Sequence, residues 1–153
     1  MDPLRFIRHV PLRASSWWAV ALVVPLAAAA AADDNPLVAE RWRTRPVVVV
    51  VPTEHDVLLR RIRTALERTA SREAFVDREM VLYTVVAGVG RRDGEALGAV
   101  RTRAMLQALG LSADGPPTFL LVGKDGGVKM TEGADVNLDA VFAEIDRMPM
   151  RRR

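Results

Sequence analysis

Two nearly unbroken apolar runs dominate the pattern, Val47–Val51 and Met80–Val86. Neither alternates with polar positions, so each predicts a strand buried on both faces of a sheet. Pro46 enters the first run and Pro52 ends it. Between the two runs the period changes. From Thr53 to about Arg72, Val57, Leu58, Ile62, Ala65, Leu66 and Thr69 recur at helical spacing, with Arg60, Arg61, Arg63, Glu67 and Arg68 on the other side. Thr53 stands where an N-cap belongs, with Asp56 at the capping-box position and Glu54 also in the first turn. Ser71–Glu79 predicts a short irregular connection carrying Phe75 and Val76. Ala87–Gly94 predicts a glycine-rich loop. Glu95–Leu109 predicts a second helix with the stripe Leu97, Val100, Ala104, Met105 and Ala108. Gly110 fits a C′ position, and Leu111 sits where a Schellman contact forms.

The remaining pattern is a hairpin and a helix. Phe119–Val122 is a short apolar run, Asp125-Gly126-Gly127 is a turn, and Val128–Met130 is the return strand. Asn137 is placed to cap a last helix, Leu138–Met148, whose stripe is Leu138, Val141, Phe142, Ile145 and Met148; Pro149 stops it. The order is β-α-β-α-β-β-α. Pro-Thr-Phe-Leu-Leu at 117–121, followed by the Lys124-Asp125-Gly126 turn, resembles the cis-proline strand and closing hairpin of the thioredoxin fold. The resemblance implies an α/β thioredoxin-like domain with a central four-stranded mixed sheet. It also implies a cis Pro116–Pro117 bond, since proline alone makes cis cheap.

The N-terminus changes the reading of composition. Arg5, Arg8 and Arg13 precede an apolar core, Trp17–Leu26, and a run of alanines to Ala32. This is the pattern of a secretory signal peptide, residues 1–32. Its apolar run, Trp17–Ala32, falls short of the roughly 20 residues that span a bilayer. The expected product is a periplasmic or secreted protein with no membrane span after cleavage. Residues 33–40 read as a loose leader, 41–150 as one domain and 151–153 as a basic tail. Setting aside Asp2 and the three arginines of the signal lowers the net charge from +3 to +1, so the high pI does not point to nucleic acid. No aromatic residues interleave with the arginines as a stacking platform requires. The chain has no cysteine. An exported domain without disulfides must hold by its core, and a chain without a thiolate cannot exchange disulfides or reduce peroxide through one.

Several stretches resemble the bacterial DUDES-type domain, a thioredoxin-like family of unknown function. The family is distant kin of peroxiredoxins and of sushi-repeat and equarin-type extracellular domains. The matching residues are Arg41-Trp42-Arg43-Thr44-Arg45-Pro46, then Leu121–Lys129, then Ile145–Arg152. The resemblance covers about Arg41 to Arg152 and implies ancestry rather than a transferable activity. Trp42 is expected to pack on the edge of the core.

In a thioredoxin fold the functional spot is the start of the first helix, facing the proline loop. Here that spot is Thr53, Glu54 and His55 against Pro116, Pro117 and Thr118. Thr53 is the one hydroxyl of the segment Pro52–Asp56, but a threonine nucleophile needs a base in contact, and capping explains the residue first. His55 with Glu54 and Asp56 does not make a metal set, because adjacent helical positions point apart. Gly88-Val89-Gly90-Arg91-Arg92-Asp93-Gly94 has the wrong spacing for a dinucleotide loop and follows the second strand rather than the first. No catalytic residue, metal or cofactor is assigned. The expected function is a non-redox binding or accessory module for an extended peptide or envelope protein, with no nucleic-acid partner. The alternative is a thiol-cosubstrate enzyme of peroxiredoxin or glutathione-transferase type, in which Thr53 or Tyr83 polarises the thiol.

Overall fold

Val47 to Val51 have no polar face to give to water, and the sheet is built around them. A computed structural model describes residues 34–149. The expected signal segment 1–32 and the tail 151–153 lie outside the described residues. In chain order the elements are α1 (Pro36–Glu40), β1 (Arg45–Val51), α2 (Val57–Glu67), α3 (Thr69–Asp77), β2 (Met80–Val86) and β3 (Val89–Arg92). They continue with β4 (Glu95–Ala96), α4 (Ala99–Leu109), β5 (Thr118–Val122), β6 (Val128–Glu132) and α5 (Leu138–Arg147).

The sheet order is β4-β3-β2-β1-β5-β6. β1 and β2 run parallel, β5 is antiparallel to β1, and β6 is antiparallel to β5. The four strands β2-β1-β5-β6, with α2 and α3 in the crossover and α5 closing the chain, are the thioredoxin-like arrangement. The sheet has six strands rather than four because β3 and β4 extend it beyond β2. Alternate valines of β1 serve opposite layers. Val47, Val49 and Val51 pack with Leu58, Ile62, Phe119 and Ile145. Val48 and Val50 pack with Leu37, Tyr83, Met105 and Leu120 on the other face. Burying a valine contributes about 1.5–3 kcal/mol, so a strand covered on both faces becomes the centre of the fold.

Several local expectations are corrected. The loose leader contains α1, capped where Asn35 Oδ1 accepts from the Leu37 N–H at 3.1 Å. The first helix starts at Val57, not Thr53. Asp56 Oδ1 accepts from the Leu58 N–H at 2.9 Å, and Pro52–His55 form a turn whose Thr53 carbonyl accepts the Asp56 N–H. Asp56, expected at the capping-box position, is itself the cap because it adjoins the apolar stripe. The helix breaks at Arg68, where ψ is 126°, and the segment expected to be irregular is α3, which buries Phe75.

The expected glycine loop is a pair of tight hairpins. Ala87-Gly88 and Asp93-Gly94 have positive φ at both positions, as two-residue hairpin turns prefer. Glu95 and Ala96 pair with β3, so the second helix begins only at Ala99. Its buried residues are Thr102, Ala104, Met105 and Leu106, while Val100 and Ala108 are exposed. Among the described residues no peptide bond is cis, so Pro116–Pro117 is trans. The loop reaches its pairing of Thr118 with Val50 through the trans geometry that even X-Pro bonds favour. The C-terminal expectations hold. Gly110 is left-handed with the Leu111 N–H on Leu106 O at 2.9 Å, and Asn137 Oδ1 caps α5 through the Asp139 N–H at 2.8 Å. No helix among the described residues is long and apolar enough to cross a membrane.

Candidate functional site

The pairing of Val50 with Thr118 brings the Pro52–His55 turn and the Pro116–Pro117 loop to the same end of the sheet. Thr53, Glu54, His55 and Pro116 are exposed there, and Pro117 and Thr118 are half-buried. Two of their polar side chains are occupied locally. Glu54 accepts from Arg63 at 2.8 Å, and the Thr118 hydroxyl donates to the Pro116 carbonyl at 2.8 Å. Neither proline has an N–H to offer an extended peptide. Among the described residues no group of three His, Asp or Glu side chains is assembled for a metal.

Tyr83 is elsewhere. It is 1% exposed, and its hydroxyl donates to Glu40 Oε1 at 2.8 Å. Burial and the neighbouring Glu40 carboxylate both push the phenol well above its ordinary range. The hydroxyl is thus sealed from solvent and already committed to Glu40.

The opposite end of the sheet, at the start of β1, carries a cleft of about 530 Å³. It is built by a strap between α1 and β1. Glu40 is buried at the end of α1 and accepts from Tyr83, from Arg92 Nε at 2.9 Å and from the Thr44 hydroxyl at 2.5 Å. Burial pushes its carboxyl up, but the bonds from Arg92, Thr44 and Tyr83 outweigh that and hold it below the ordinary range. The Glu40 carbonyl also accepts the N–H groups of Arg43 and Thr44, at 3.0 Å each. This turn sends Trp42 outward.

Trp42 has φ 65° and is 68% exposed, so the expected packing on the core edge is overturned. Its N–H donates to the Lys124 carbonyl at 2.7 Å, which ties the strap to the β5–β6 turn. Gly126 is needed in that turn because its φ of 84° is a conformation that residues with a Cβ rarely adopt.

Arg45 forms the back wall of the cleft and is 1% exposed. Its Nη1 donates to the Arg78 carbonyl at 3.0 Å and reaches Glu79 Oε2 at 3.5 Å, while its Nε is buried without a partner among the described residues. Lys124 pairs with the same Glu79 oxygen. Glu79 is held below the ordinary range by Lys124 first and then by Arg45. Lys129 pairs with Asp125 at 2.6 Å, and Arg147 with Glu144 at 2.5 Å. Met148 and Pro149 complete the lining.

Of these residues, sequence reasoning weighs a binding role only for Trp42 and prefers packing on the core edge even there. Yet the three stretches with motif character, Arg41–Pro46, Leu121–Lys129 and Ile145–Arg152, each contribute to this cleft. A second, more polar trough of about 810 Å³ lies between α2 and the loop before α5. Its Arg61–Asp135 pair at 3.7 Å is exposed, and such pairs contribute about 0–1 kcal/mol.

Residues 36–153 match the family described as "Domain of unknown function (DUF4174)". No curated protein matches the chain. Among solved structures, the crystal structure of reduced Plasmodium vivax 2-Cys peroxiredoxin is similar at a TM-score of 0.49 and 14% identity, over 72% of this chain and 80% of that one.

Proposed function

The chain belongs to the DUF4174 family of domains of unknown function, and we propose that it is an exported, non-redox binding module whose ligand seat is the cleft beneath Trp42. One observation carries this reading. A bulky residue at positive φ is an outlier that costs about 1–3 kcal/mol and persists where the surroundings enforce it. Here the strain holds an indole out of the core, at a cleft where the apolar surfaces of Trp42, Met148 and Pro149 meet a mainly charged lining, and a ligand seat needs both apolar surface and placed polar groups. The non-redox part follows from chemistry. The chain has no thiol to act as nucleophile or to form a disulfide. Kinship with bacterial DUDES-type domains, read from the same motifs, belongs to this proposal.

Thermal melts of wild type and Trp42→Ala against a library of small organic fragments test the binding role. Fragments that raise Tm in the wild type and not in the variant are expected; equal shifts in both would reject the cleft. Saturable peroxide consumption or insulin reduction by the pure protein would reject the non-redox reading. For export, protein recovered from the periplasm is expected to begin near Asp33, and a full-length chain starting at Met1 would refute it.

A second reading rests on β6, which pairs with β5 on one side and carries exposed Val128, Lys129, Thr131 and Glu132. Such an edge can add an extended segment of an envelope protein as a further strand. A photo-cross-linker placed at Thr131 is expected to capture one partner at one site. No adduct under any growth condition would dismiss this reading.

A further inference from the structure

We infer that the Trp42 cleft selects an organic anion, a carboxylate joined to an apolar or aromatic body. The inference rests on the cleft being a ligand seat and adds the chemistry of the ligand.

The argument is one of charge accounting. Two cations, Arg45 and Lys124, converge on the single carboxylate of Glu79. Both are withdrawn from water, with side chains 2% and 14% exposed. The Arg45–Glu79 contact is long at 3.5 Å, and the Arg45 Nε–H has no acceptor among the described residues. The guanidinium therefore has unused donor capacity in a place where water serves it poorly. A second carboxylate entering beside Lys124 would supply the missing counter-charge, and hydrogen bonds between ionised groups are about twice as strong as neutral ones.

The acids of the rim do not oppose this. Asp125 and Glu144 are each neutralised, by Lys129 and Arg147. An organic cation would meet Arg45 and Lys124 instead and be repelled. Trp42, Met148 and Pro149 offer the surface for an apolar body, and an indole presents its face at little entropic cost. A purely structural ion cluster would account for Glu79 holding two cations, but not for a strained, exposed tryptophan above them.

The test uses the full chain with Trp17→Phe and Trp18→Phe, so that Trp42 is its lone indole. Phenylacetate, phenylacetamide and phenethylamine share an aromatic ring and differ in charge. Titration followed by Trp42 fluorescence is expected to saturate with phenylacetate, to need about tenfold more phenylacetamide and to give nothing with phenethylamine. Added salt should weaken phenylacetate and leave phenylacetamide unchanged. Lys124→Met should bring phenylacetate down to the level of the amide. The salt series needs no variant, so it decides the matter if Lys124→Met does not fold. Equal binding of all three probes would overturn the anion inference and leave the cleft as a ligand seat. No response of Trp42 to any of them would overturn both.

Discussion

Replacing Glu40 with alanine removes one acceptor from three donors and loosens the strap that carries Trp42. The cost can be worked donor by donor. The Tyr83 hydroxyl, sealed at 1% exposure, is left without an acceptor, at about 1–3 kcal/mol. Arg92 is substantially exposed and returns to water, so its lost ion pair adds only about 0–1 kcal/mol. The Thr44 hydroxyl is half-buried and rehydrates in part. The expected loss is about 1–4 kcal/mol, from a total that is typically about 5–15 kcal/mol. Glu40→Gln keeps an oxygen for Tyr83 and should lose about half as much.

The assay is urea unfolding followed by far-UV circular dichroism. With an m-value of about 2 kcal/mol/M, the midpoint of Glu40→Ala should fall by about 0.5–2 M at unchanged slope. The pH dependence has a definite sign. The folded pKa of Glu40 lies below its ordinary value of 4.5, so its contribution is full above 4.5 and is lost as the pH falls through the folded value. Glu79 and Asp125 are lowered too, so the informative quantity is the difference between wild type and Glu40→Gln. That difference should shrink on acidification. A loss under about 0.5 kcal/mol for Glu40→Ala, within the range of ordinary surface changes, would refute the anchor. So would a wild-type-minus-Gln difference that stays constant down to acid pH.

Two further substitutions bear on the fold. Gly90→Ala places a Cβ 2.2 Å from the Thr102 hydroxyl, which is itself bonded to the Gly98 carbonyl at 2.7 Å. It should cost about 1–3 kcal/mol by overpacking, measured as a fall in Cm, and Thr102→Ala in the same chain should recover part of the loss. Pro117→Ala changes a trans bond to another trans bond, so it should cost less than about 1 kcal/mol, mostly through the unfolded state. A larger fall in Cm would mean that the ring packs more heavily than its half-buried position allows.

The framework was legible because it rests on short-range chemistry. Five consecutive valines announce a central strand, Asn137 announces a cap, and Gly110 announces a left-handed helix end. The β3–β4 extension was not read, although Asp93-Gly94 is a strong hairpin signal. Its strands are short, and the glycine at 90 serves Thr102 in three dimensions rather than a turn in the chain. Thr53 and Asp56 both satisfy the chemistry of a cap, and the choice between them depends on which phase buries Leu58 and Ile62.

The proline loop and the Thr53 turn lie at one end of the sheet because Val50 pairs with Thr118. The cleft at the other end was invisible for a different reason. Trp42, Arg45, Lys124 and Met148 come from three distant segments, and only tertiary packing brings them together. Nothing local distinguishes an exposed, strained tryptophan from one packed on a core edge.

The central claim is that ligand binds at the Arg45 end of the sheet and not at the Thr53 end. Backbone amide NMR of the full chain titrated with phenylacetate tests it directly. Saturable shifts confined to Trp42, Lys124, Lys129 and Met148 are the predicted result. Shifts centred on Glu54, His55 and Thr118, with Trp42 and Lys124 unmoved, would contradict it.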